Sequence, residues 1–287
     1  MSKVWLITGS AHGLGRSIVE AVLAAGDRVV ATARNPSRLS DLQERHGGNL
    51  RSFVLDVDDA TVAQAAVDFT MEAYGRLDVL VNNAGFGHLA PFEQASEADF
   101  RAQIDTNFYG VVNLTRAALP VMRRQRSGHI INISSVGGRT GTPGLSAYQA
   151  AKWAVGGFTE VLAKETAAFG VKVVAVEPGG MRTDWGFVAG SNTPALLPEY
   201  EPSVGAVLGM SKAYAGNEIG DPAKIAEVIV TLAGRATLPA HLLLGSDALY
   251  VAAQADATRQ AEAKEWATVS ASTDSAGADH SILSQLK

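Results

Sequence analysis

Short apolar runs alternate with stretches of helical spacing along most of this 287-residue chain. Each run is too short for a helix, and the run at 130–133 is rich in β-branched residues, so the runs are predicted to be buried strands. The seven runs occupy residues 3–7, 28–33, 49–55, 77–81, 130–133, 171–176 and 241–244. Strands that alternate with helices pair in parallel, and the helices cover both faces of the sheet. The pattern therefore predicts an α/β fold, a doubly wound seven-stranded parallel sheet with helices on both faces.

The chain is long enough for one large domain, which we expect to span residues 1–267. After Thr183 the helical spacing lapses until Asp221, which together with the following proline is typical of a helix start. The intervening segment, about residues 184–220, is rich in proline, glycine and apolar side chains. We expect it to be a lid or binding loop for a hydrophobic substrate. Residues 268–287 are polar and are expected to form a loosely ordered tail.

Composition excludes several classes of function. The chain has no cysteine, so disulfides and thiolate metal sites are excluded, and its six histidines are too scattered to suggest a metal site. The net charge of −5 disfavours nucleic-acid binding. No run approaches the roughly 18 apolar residues of a membrane span, and the N-terminus lacks the features of a signal peptide. We therefore expect a cytoplasmic protein without a metal, a nucleic-acid partner or a membrane span.

The first strand runs into the sequence Thr8-Gly-Ser-Ala-His-Gly-Leu-Gly15, which precedes a helix. A strand, a glycine-rich turn and a helix form a cradle for phosphate. The glycines let the backbone approach a pyrophosphate, and the helix N-terminus offers unpaired N–H groups. A glycine-rich turn that binds no ligand is the structural alternative. The candidate cofactor-binding residues in this turn are Gly9, Ser10, His12, Gly13, Leu14 and Gly15.

The second strand ends at Arg34, where a fold that prefers NAD usually places an acidic residue. A guanidinium there matches a 2′-phosphate in charge and geometry, and Arg38 and His12 are candidates to add to it. A solvated loop arginine is the alternative interpretation. Asp56 and Val57 follow the third strand, in a position to contact an adenine edge.

Tyr148 and Lys152 lie one turn apart on the helix that follows the fifth strand, so the phenol and the ammonium share one face. A nearby cation is expected to lower the pKa of the phenol from about 10. A phenol tuned in this way suits general acid or base catalysis. Ser135, at the end of the strand, is placed to hydrogen-bond the oxygen that gains or loses the proton. By itself, the tyrosine–lysine spacing also arises by chance on many helices.

A long helical segment is predicted to begin at Ser96 as the N-cap, with Asp99 at the capping-box position. Asn107 lies inside this segment. An amide in the middle of a helix more often faces solvent than takes part in chemistry, so Asn107 alone predicts nothing.

Taken together, the motifs resemble those of the short-chain dehydrogenase/reductase family over about residues 3–250. They are T-G-x-x-x-G-x-G at 8–15, N-N-A-G at 82–85, the asparagine at 107, S-S-x-x-G at 134–138, Y-x-x-x-K at 148–152 and P-G-x-x-x-T at 178–183. The resemblance is to the single-domain branch, which implies a Rossmann fold. The A-T-A-R-N-P run at 31–36 resembles NADP-preferring members related to retinol and 17β-hydroxysteroid dehydrogenases.

The resemblance implies a role for each catalytic candidate. Tyr148 would protonate the carbonyl oxygen as hydride arrives from the nicotinamide, and Lys152 would lower the pKa of Tyr148 and bind the nicotinamide ribose. Ser135 would hold the carbonyl oxygen, and Asn107 would anchor a water that relays protons to Lys152. The cofactor contacts that the resemblance adds are Asn83, Ala84, Gly85, Pro178, Gly179, Met181 and Thr183.

These inferences predict an NADP(H)-dependent oxidoreductase that interconverts a hydrophobic ketone or aldehyde and an alcohol, with NADP(H) preferred over NAD(H). Two alternatives stay open at this point. One is a non-catalytic NADP(H)-binding sensor or scaffold, and the other is a family member that reduces a different bond, such as a carbon–carbon double bond. The resemblance also implies a homodimer or homotetramer that pairs through the helices at 96–125 and 146–169.

Overall fold

The computed structural model describes residues 2–285, and its seven strands form one parallel sheet. The strands are β1 Val4–Ile7, β2 Arg28–Ala33, β3 Leu50–Val54, β4 Val79–Asn82, β5 Gly128–Ile133, β6 Val171–Pro178 and β7 His241–Leu244. Their order across the sheet is β3-β2-β1-β4-β5-β6-β7, and every adjacent pair is parallel. The predicted seven-stranded doubly wound sheet is confirmed, and β2 and β7 have the predicted bounds.

Within the described residues, eleven α-helices connect and flank the strands. They are α1 Gly13–Ala24, α2 Ser40–His46, α3 Ala60–Tyr74, α4 Glu97–Ile104, α5 Gly110–Gln125, α6 Ser146–Thr166, α7 Trp185–Ser191, α8 Ala206–Tyr214, α9 Pro222–Leu232, α10 Ser246–Glu265 and α11 Ala267–Ala271. The predicted start of α9 is confirmed, because the Asp221 carboxylate accepts the N–H of Ala223 at 2.9 Å and so caps the helix.

Two apolar layers enclose the sheet, because successive strand residues point to opposite faces. On one face, Trp5 and Ile7 of β1 pack with α1 and α9, and on the other face Leu6 packs with α3 and α5. All three side chains are fully buried. Burying a side chain of this size contributes about 1.5–3 kcal/mol, so the two layers hold the carboxyl ends of the strands firmly in place.

The chain leaves β1 towards β2 and β3 on one side of the sheet, and later adds β4 to β7 on the other side. The winding direction therefore reverses between β1 and β4, and a crevice opens at their carboxyl ends. Thr8 follows β1 and forms the floor of this crevice. Its hydroxyl oxygen accepts the N–H groups of Asn83 and Ala84, each at 2.9 Å, and so joins the ends of the two strands.

The segment at 184–220 is not the continuous loop that its sequence predicts, because it contains α7, α8 and a π-helical turn at Glu201–Gly205. Contacts with a distant segment hold it in place. The buried Ala189 accepts the N–H of Leu89 at 2.9 Å, and the Thr193 hydroxyl donates to the Leu89 carbonyl at 2.7 Å. Tertiary contacts of this kind stabilise short helices that have no strong periodic signal of their own.

The predicted tail contains helical structure. Helix α11 spans Ala267–Ala271, and a 3-10 turn spans His280–Gln285. The side chains along residues 267–284 are exposed. The last two residues of the predicted tail lie outside the described residues.

The long helical segment predicted from Ser96 is present as α4 and α5, which are joined by a π-helical turn at Asp105–Tyr109. Ser96 is the N-cap, and its hydroxyl accepts the N–H of Asp99 at 3.1 Å. The capping-box prediction for Asp99 is wrong. Its carboxylate lies 2.5 Å from His88 Nδ1 and accepts the Gln103 amide at 2.8 Å. Two side-chain partners therefore replace the backbone N–H that a capping box would use.

Within residues 2–285, no helix is long and apolar enough to cross a membrane. In the same residues, no group of three His, Asp or Glu side chains is arranged to hold a metal ion.

Candidate active site

A cavity of about 540 Å³ occupies the crevice at the carboxyl ends of the strands. Its walls come from the glycine turn, from the ends of β2, β3, β4 and β5, and from α6 and α7. Most of the residues predicted from the sequence meet here. The predicted site residues that line the cavity are Gly9, His12, Gly13, Leu14, Gly15, Arg34, Arg38, Asp56, Val57, Asn83, Ala84, Gly85, Asn107, Tyr148, Lys152, Met181 and Thr183.

The glycine turn packs too closely against β4 to accept side chains. Gly9 has a positive φ of 65°, and a Cβ added to it would lie 2.8 Å from the Cα of Ala84. A Cβ on Gly15 would overlap the carbonyl of Gly9. Asn83 fastens the turn, because its amide donates to the carbonyls of Thr8 at 3.0 Å and Gly9 at 3.2 Å. The glycines therefore let the turn wrap tightly over the strand end and bring its backbone to the cavity.

The N-terminus of α1 faces the same cavity and fits an anionic group. Its N-cap, His12, makes no side-chain capping hydrogen bond, and the first turn contains no acidic residue. The first N–H groups of the helix, on Gly13, Leu14 and Gly15, therefore keep their positive character toward the cavity. This is the environment that a dinucleotide pyrophosphate requires.

Two arginines lie at the end of the cavity formed by β2 and β3. Arg34 and Arg38 are exposed and, within residues 2–285, neither forms an ion pair. Their neighbour Arg16 differs, because it is bound to Asp41 at 2.5 Å and to Glu20 at 3.1 Å. Burial raises the pKa of Asp58, which also lines this end, and Arg34 acts in the opposite direction. The two cavity arginines are thus available to an anion.

The predicted catalytic side chains meet at the other end of the cavity. Lys152 is buried, and its ammonium donates to the Ile133 carbonyl at the end of β5 at 2.9 Å. The same nitrogen lies 5.5 Å from the centre of the Tyr148 ring. Ser135 accepts the N–H of Gly137 at 3.0 Å, which leaves its own hydroxyl proton to donate. Tyr148, Lys152 and Ser135 therefore lie together at this end of the site.

The expectation that the pKa of Tyr148 lies below its ordinary value is wrong for this structure. Burial raises the pKa of Tyr148 to about 12, and a hydrogen bond with Ser135 acts weakly in the other direction. Burial also lowers the pKa of Lys152 to about 8. Tyr148 as a whole residue is only partly buried. The protein atoms packed around it nevertheless remove enough hydration to disfavour the charged phenolate.

Asn107 faces the site and not solvent, because the π-helical turn at Asp105–Tyr109 places it inside the protein. Its Nδ2 donates to the carbonyls of Phe86 at 2.7 Å and Gln103 at 2.8 Å. Its Oδ1 is buried without a hydrogen-bond partner among the described residues. A Cβ on Gly85 would lie 2.5 Å from this oxygen and 3.5 Å from Lys152 Nζ, so both polar atoms flank the same small space.

Four predicted site residues do not line the cavity. Ser10 is buried and donates to the Ile7 carbonyl at 2.9 Å, so it supports the turn from inside. Pro178 is the last residue of β6, and Gly179 packs against the carboxylate of Asp247, which accepts the N–H of the next residue at 2.7 Å. Ser135 lies beside the cavity and reaches it through Tyr148. Ser10, Pro178 and Gly179 therefore belong to the structural support of the site and not to its surface.

The sequence-based inference missed an apolar wall around Tyr148. The Trp185 ring lies 5.0 Å from the Tyr148 ring, measured between centroids, and Gly87 leaves the room for this contact. Phe86 and Val188 complete the wall. Phe86 and Gly87 directly follow the N-N-A-G motif, so their position in the sequence is the signal that could have indicated this wall. Trp185 belongs to the segment 184–220 that was predicted to bind a hydrophobic substrate, but the sequence did not predict that it covers the tyrosine.

A doubly wound sheet with a glycine turn and a tyrosine–lysine pair at the switch point defines a class of dinucleotide-binding oxidoreductases. The family described as short chain dehydrogenase matches residues 3–192. The chain belongs to this family and is an oxidoreductase of it. It is 45% identical to the oxidoreductase BOA17 of Botryotinia fuckeliana over 274 residues, which cover 94% of this chain and 98% of that protein.

Solved structures agree with this membership. A short-chain dehydrogenase from Streptomyces avermitilis is 39% identical, with a TM-score of 0.89 over 96% of this chain and 100% of that one. Two structures contain nicotinamide cofactors. An alcohol dehydrogenase from Thermococcus sibiricus in complex with 5-hydroxy-NADP is 26% identical (TM-score 0.69, 86% of this chain and 97% of that one). A short-chain dehydrogenase/reductase from Burkholderia phymatum in complex with NAD is 25% identical (TM-score 0.74, 84% and 88%). Structural relatives therefore bind both types of cofactor.

Proposed function

We propose that this protein is an NADP(H)-dependent oxidoreductase that interconverts a hydrophobic ketone or aldehyde and the corresponding alcohol. The observation that carries the proposal is the meeting of Tyr148, Lys152 and Ser135 at one end of a cavity whose other end is a phosphate cradle. The buried, unpaired Oδ1 of Asn107 beside Lys152 adds a polar atom that awaits a partner.

The cofactor supplies the hydride when it is bound. The N–H groups of Gly13 to Gly15 would hold its pyrophosphate, and Arg34 and Arg38 would hold a 2′-phosphate. Lys152 is placed to bind the nicotinamide ribose.

Side chains of the protein hold and transfer the proton. With a pKa of about 12, the Tyr148 phenol keeps its proton near neutral pH and donates it to the carbonyl oxygen during reduction. Ser135 donates a hydrogen bond to the same oxygen and holds it against the phenol. The Lys152 ammonium stabilises the phenolate that forms, and Asn107 anchors the path by which a proton returns. In the oxidation direction the same groups act in reverse.

The apolar wall supports a hydrophobic substrate. Trp185, Val188 and Phe86 line the cavity next to Tyr148, and they offer apolar surface beside the reacting oxygen. A carbonyl compound whose bulk is apolar removes this surface from water, and about 25 cal/mol per Å² of buried apolar area favours its binding.

A panel of carbonyl compounds tests the reaction. Small aryl ketones, a steroid ketone, a retinoid aldehyde and a 3-oxoacyl thioester are each offered with NADPH, and cofactor oxidation is followed by absorbance. We expect turnover of at least one compound. Tight NADPH binding without turnover of any of them would favour a sensor or scaffold, and turnover of an enone at its carbon–carbon double bond would favour the other reductase class.

A single arginine tests the cofactor preference. The proposal is that Arg34 provides most of the preference for NADPH, because it lies at the cavity with no ion pair among the described residues. A hydrogen bond to a charged group contributes about 1.5–3 kcal/mol, so Arg34→Ala should weaken NADPH binding roughly ten- to a hundredfold and leave NADH nearly unchanged. Adding Ala33→Asp should shift the preference toward NADH, because the carboxylate repels the phosphate.

Binding is measured at low ionic strength, since salt screens exposed charges. Arg45→Ala is the matched control, because Arg45 is an exposed arginine of the neighbouring helix α2 that does not line the cavity. Equal loss of NADH and NADPH affinity in Arg34→Ala would remove the NADP assignment and leave the carbonyl chemistry in place.

A further inference from the structure

A buried carboxylate near the end of β6 takes no part in the chemistry described above. Glu177 is near the end of β6 and is 1% exposed. Burying a carboxylate is strongly unfavourable unless other groups meet its charge and its lone pairs. The partners of Glu177 therefore indicate what it holds together.

Two side chains from different segments bind Glu177. Arg139 Nε lies 3.2 and 3.0 Å from the two carboxylate oxygens, and His241 Nδ1 on β7 lies 2.7 Å from Oε1. We call Glu177, Arg139 and His241 the Glu177 cluster. Arg139 is held a second time, because its backbone carbonyl accepts from Arg259 Nη1 on α10 at 2.7 Å.

The Glu177 cluster joins two segments of the site. Ser135 begins the 3-10 turn Val136–Gly138, and Arg139 closes that turn through its N–H to the Val136 carbonyl at 2.9 Å. On the other side, Glu177 directly precedes the segment 178–183, which lines the cavity through Met181 and Thr183. One carboxylate therefore connects the segment that presents Ser135 with the segment on the cofactor side.

We propose that Glu177 is a positioning residue, which through Arg139 holds the Ser135 turn in register with residues 178–183. The inference rests on the proposed role of Ser135. Displacing a reacting group by about 1 Å can cost on the order of a hundredfold in rate, so a rigid link between these two segments has a direct kinetic consequence.

Hydrogen exchange of the full chain provides a test that does not depend on turnover. In Glu177→Gln, we expect the amides of residues 135–139 and 179–183 to exchange about tenfold faster than in the parent, because the link between the two segments is weakened. Asp78→Asn is the matched control. Asp78 is also buried and bound by an arginine, with Arg76 at 2.6 Å, but it lies at the amino ends of the strands, far from the cavity.

The control variant should leave exchange in both segments unchanged. Unchanged exchange in Glu177→Gln would overturn the inference, whatever the outcome for the proposed function. If Glu177→Gln does not fold, Glu177→Leu combined with Arg139→Met takes its place, since removing both charges leaves no unpaired carboxylate or guanidinium in the core.

Kinetics with NADPH and the fastest compound of the carbonyl panel give the second readout. Glu177→Gln should lower kcat roughly tenfold and leave KM for NADPH within about twofold, because it displaces Ser135 without removing a cofactor contact. The double variant of Glu177→Gln and Ser135→Ala should have a kcat less than about threefold below that of Ser135→Ala alone, because both changes act through the same hydroxyl.

These kinetic outcomes distinguish a failure of the proposed positioning role of Glu177 from a failure of the proposed role of Ser135. Losses that multiply in the double variant would make Glu177 a general structural residue and overturn the inference. A Ser135→Ala variant that keeps the parent kcat would instead overturn the proposed role of Ser135, and the exchange measurement would still decide whether Glu177 holds the two segments.

Discussion

Burial, more than charge pairing, sets the pKa values of Tyr148 and Lys152 in the cavity. It raises the pKa of the Tyr148 phenol to about 12 and lowers the pKa of the Lys152 ammonium to about 8. The phenol therefore carries a proton to give at neutral pH, and the lysine titrates near the physiological range. Both shifts have the same cause, because a poorly hydrated environment disfavours whichever form is charged.

At the scale of one residue, removing the phenol hydroxyl tests the proposed acid. Tyr148→Phe should keep the fold and NADPH binding but lower kcat by about 10²- to 10⁴-fold, the usual contribution of general acid catalysis. Tyr74→Phe is the control, since its hydroxyl donates to the Gly48 carbonyl at 3.0 Å outside the cavity. Steady-state kinetics measure both variants. A Tyr148→Phe enzyme within about tenfold of the parent would remove Tyr148 from the acid role.

The lowered pKa of Lys152 predicts a dependence of stability on pH. Between about 8 and about 10.4, the unfolded chain holds a proton on this lysine and the folded protein does not, so the free energy of unfolding rises with pH. Relative to Lys152→Met, the parent should gain ~3 kcal/mol across that window, from about 1.4 kcal/mol per pH unit. Below pH 8 both states are protonated and the gain is absent.

Urea denaturation of the protein without ligand at several pH values between 7.5 and 10.5 measures this difference. Tyr148 contributes only at the top of the window, because its raised pKa lowers stability as the pH rises from about 10 toward about 12. The difference in the free energy of unfolding between the parent and Lys152→Met should rise from about pH 8 to about 10.4. If it stays constant, Lys152 is better hydrated than its burial indicates.

At the scale of an element, Gly87 tests how the segment after β4 and helix α7 fit together. A Cβ on Gly87 would lie 2.8 Å from Trp185 Cζ2 and 3.1 Å from Tyr148 Cδ2. Two rigid rings cannot yield easily, so Gly87→Ala should push Trp185 away from the tyrosine. Overpacking of this kind costs about 1–3 kcal/mol, and we expect kcat/KM to fall roughly tenfold.

Gly141→Ala is the matched control for this prediction, because a methyl group there meets no atom within 4 Å and its φ is not positive. Parent-like kcat/KM in Gly87→Ala would show that the Trp185 contact contributes nothing to turnover.

Elements whose signals lie within a few residues were predictable from sequence. The bounds of β2 and β7 and the Asp221 cap of α9 agree with their local patterns. Asp99 did not follow its local pattern, because His88 from the segment before α4 and Gln103 one turn later on α4 bind its carboxylate instead. The same holds for α7, since its contact with Leu89 crosses about a hundred residues of sequence.

At the scale of the whole molecule, the expected self-association through α4, α5 and α6 stays a prediction. Three apolar residues of these helices, Val111, Leu114 and Leu162, are buried within the single chain, so they belong to its core and are no evidence for an interface. The surface that these helices leave exposed instead includes Tyr109, which is 51% exposed, and Val161, which is 57% exposed.

Light scattering at micromolar concentration should give a dimer or tetramer mass for the parent. Val161→Glu should weaken association at least tenfold, because a carboxylate buried in an interface loses hydration without a partner. Val228→Glu is the control, since Val228 is 37% exposed on α9, which packs on the opposite face of the sheet. A monomer mass for the parent would contradict the prediction.

The sequence alone determined the sheet, the glycine turn and the set of side chains at the catalytic end, because each depends on residues that are close together in the chain or on strand ends that parallel topology must bring together. Tertiary structure decided the rest. It turned Ser10 inward to Ile7, covered Tyr148 with Trp185, placed Asn107 on a π-helical turn with one unpaired oxygen, and set the pKa of Tyr148 by burial. These outcomes depend on packing density and on contacts between distant segments, and no local pattern of residues encodes either one.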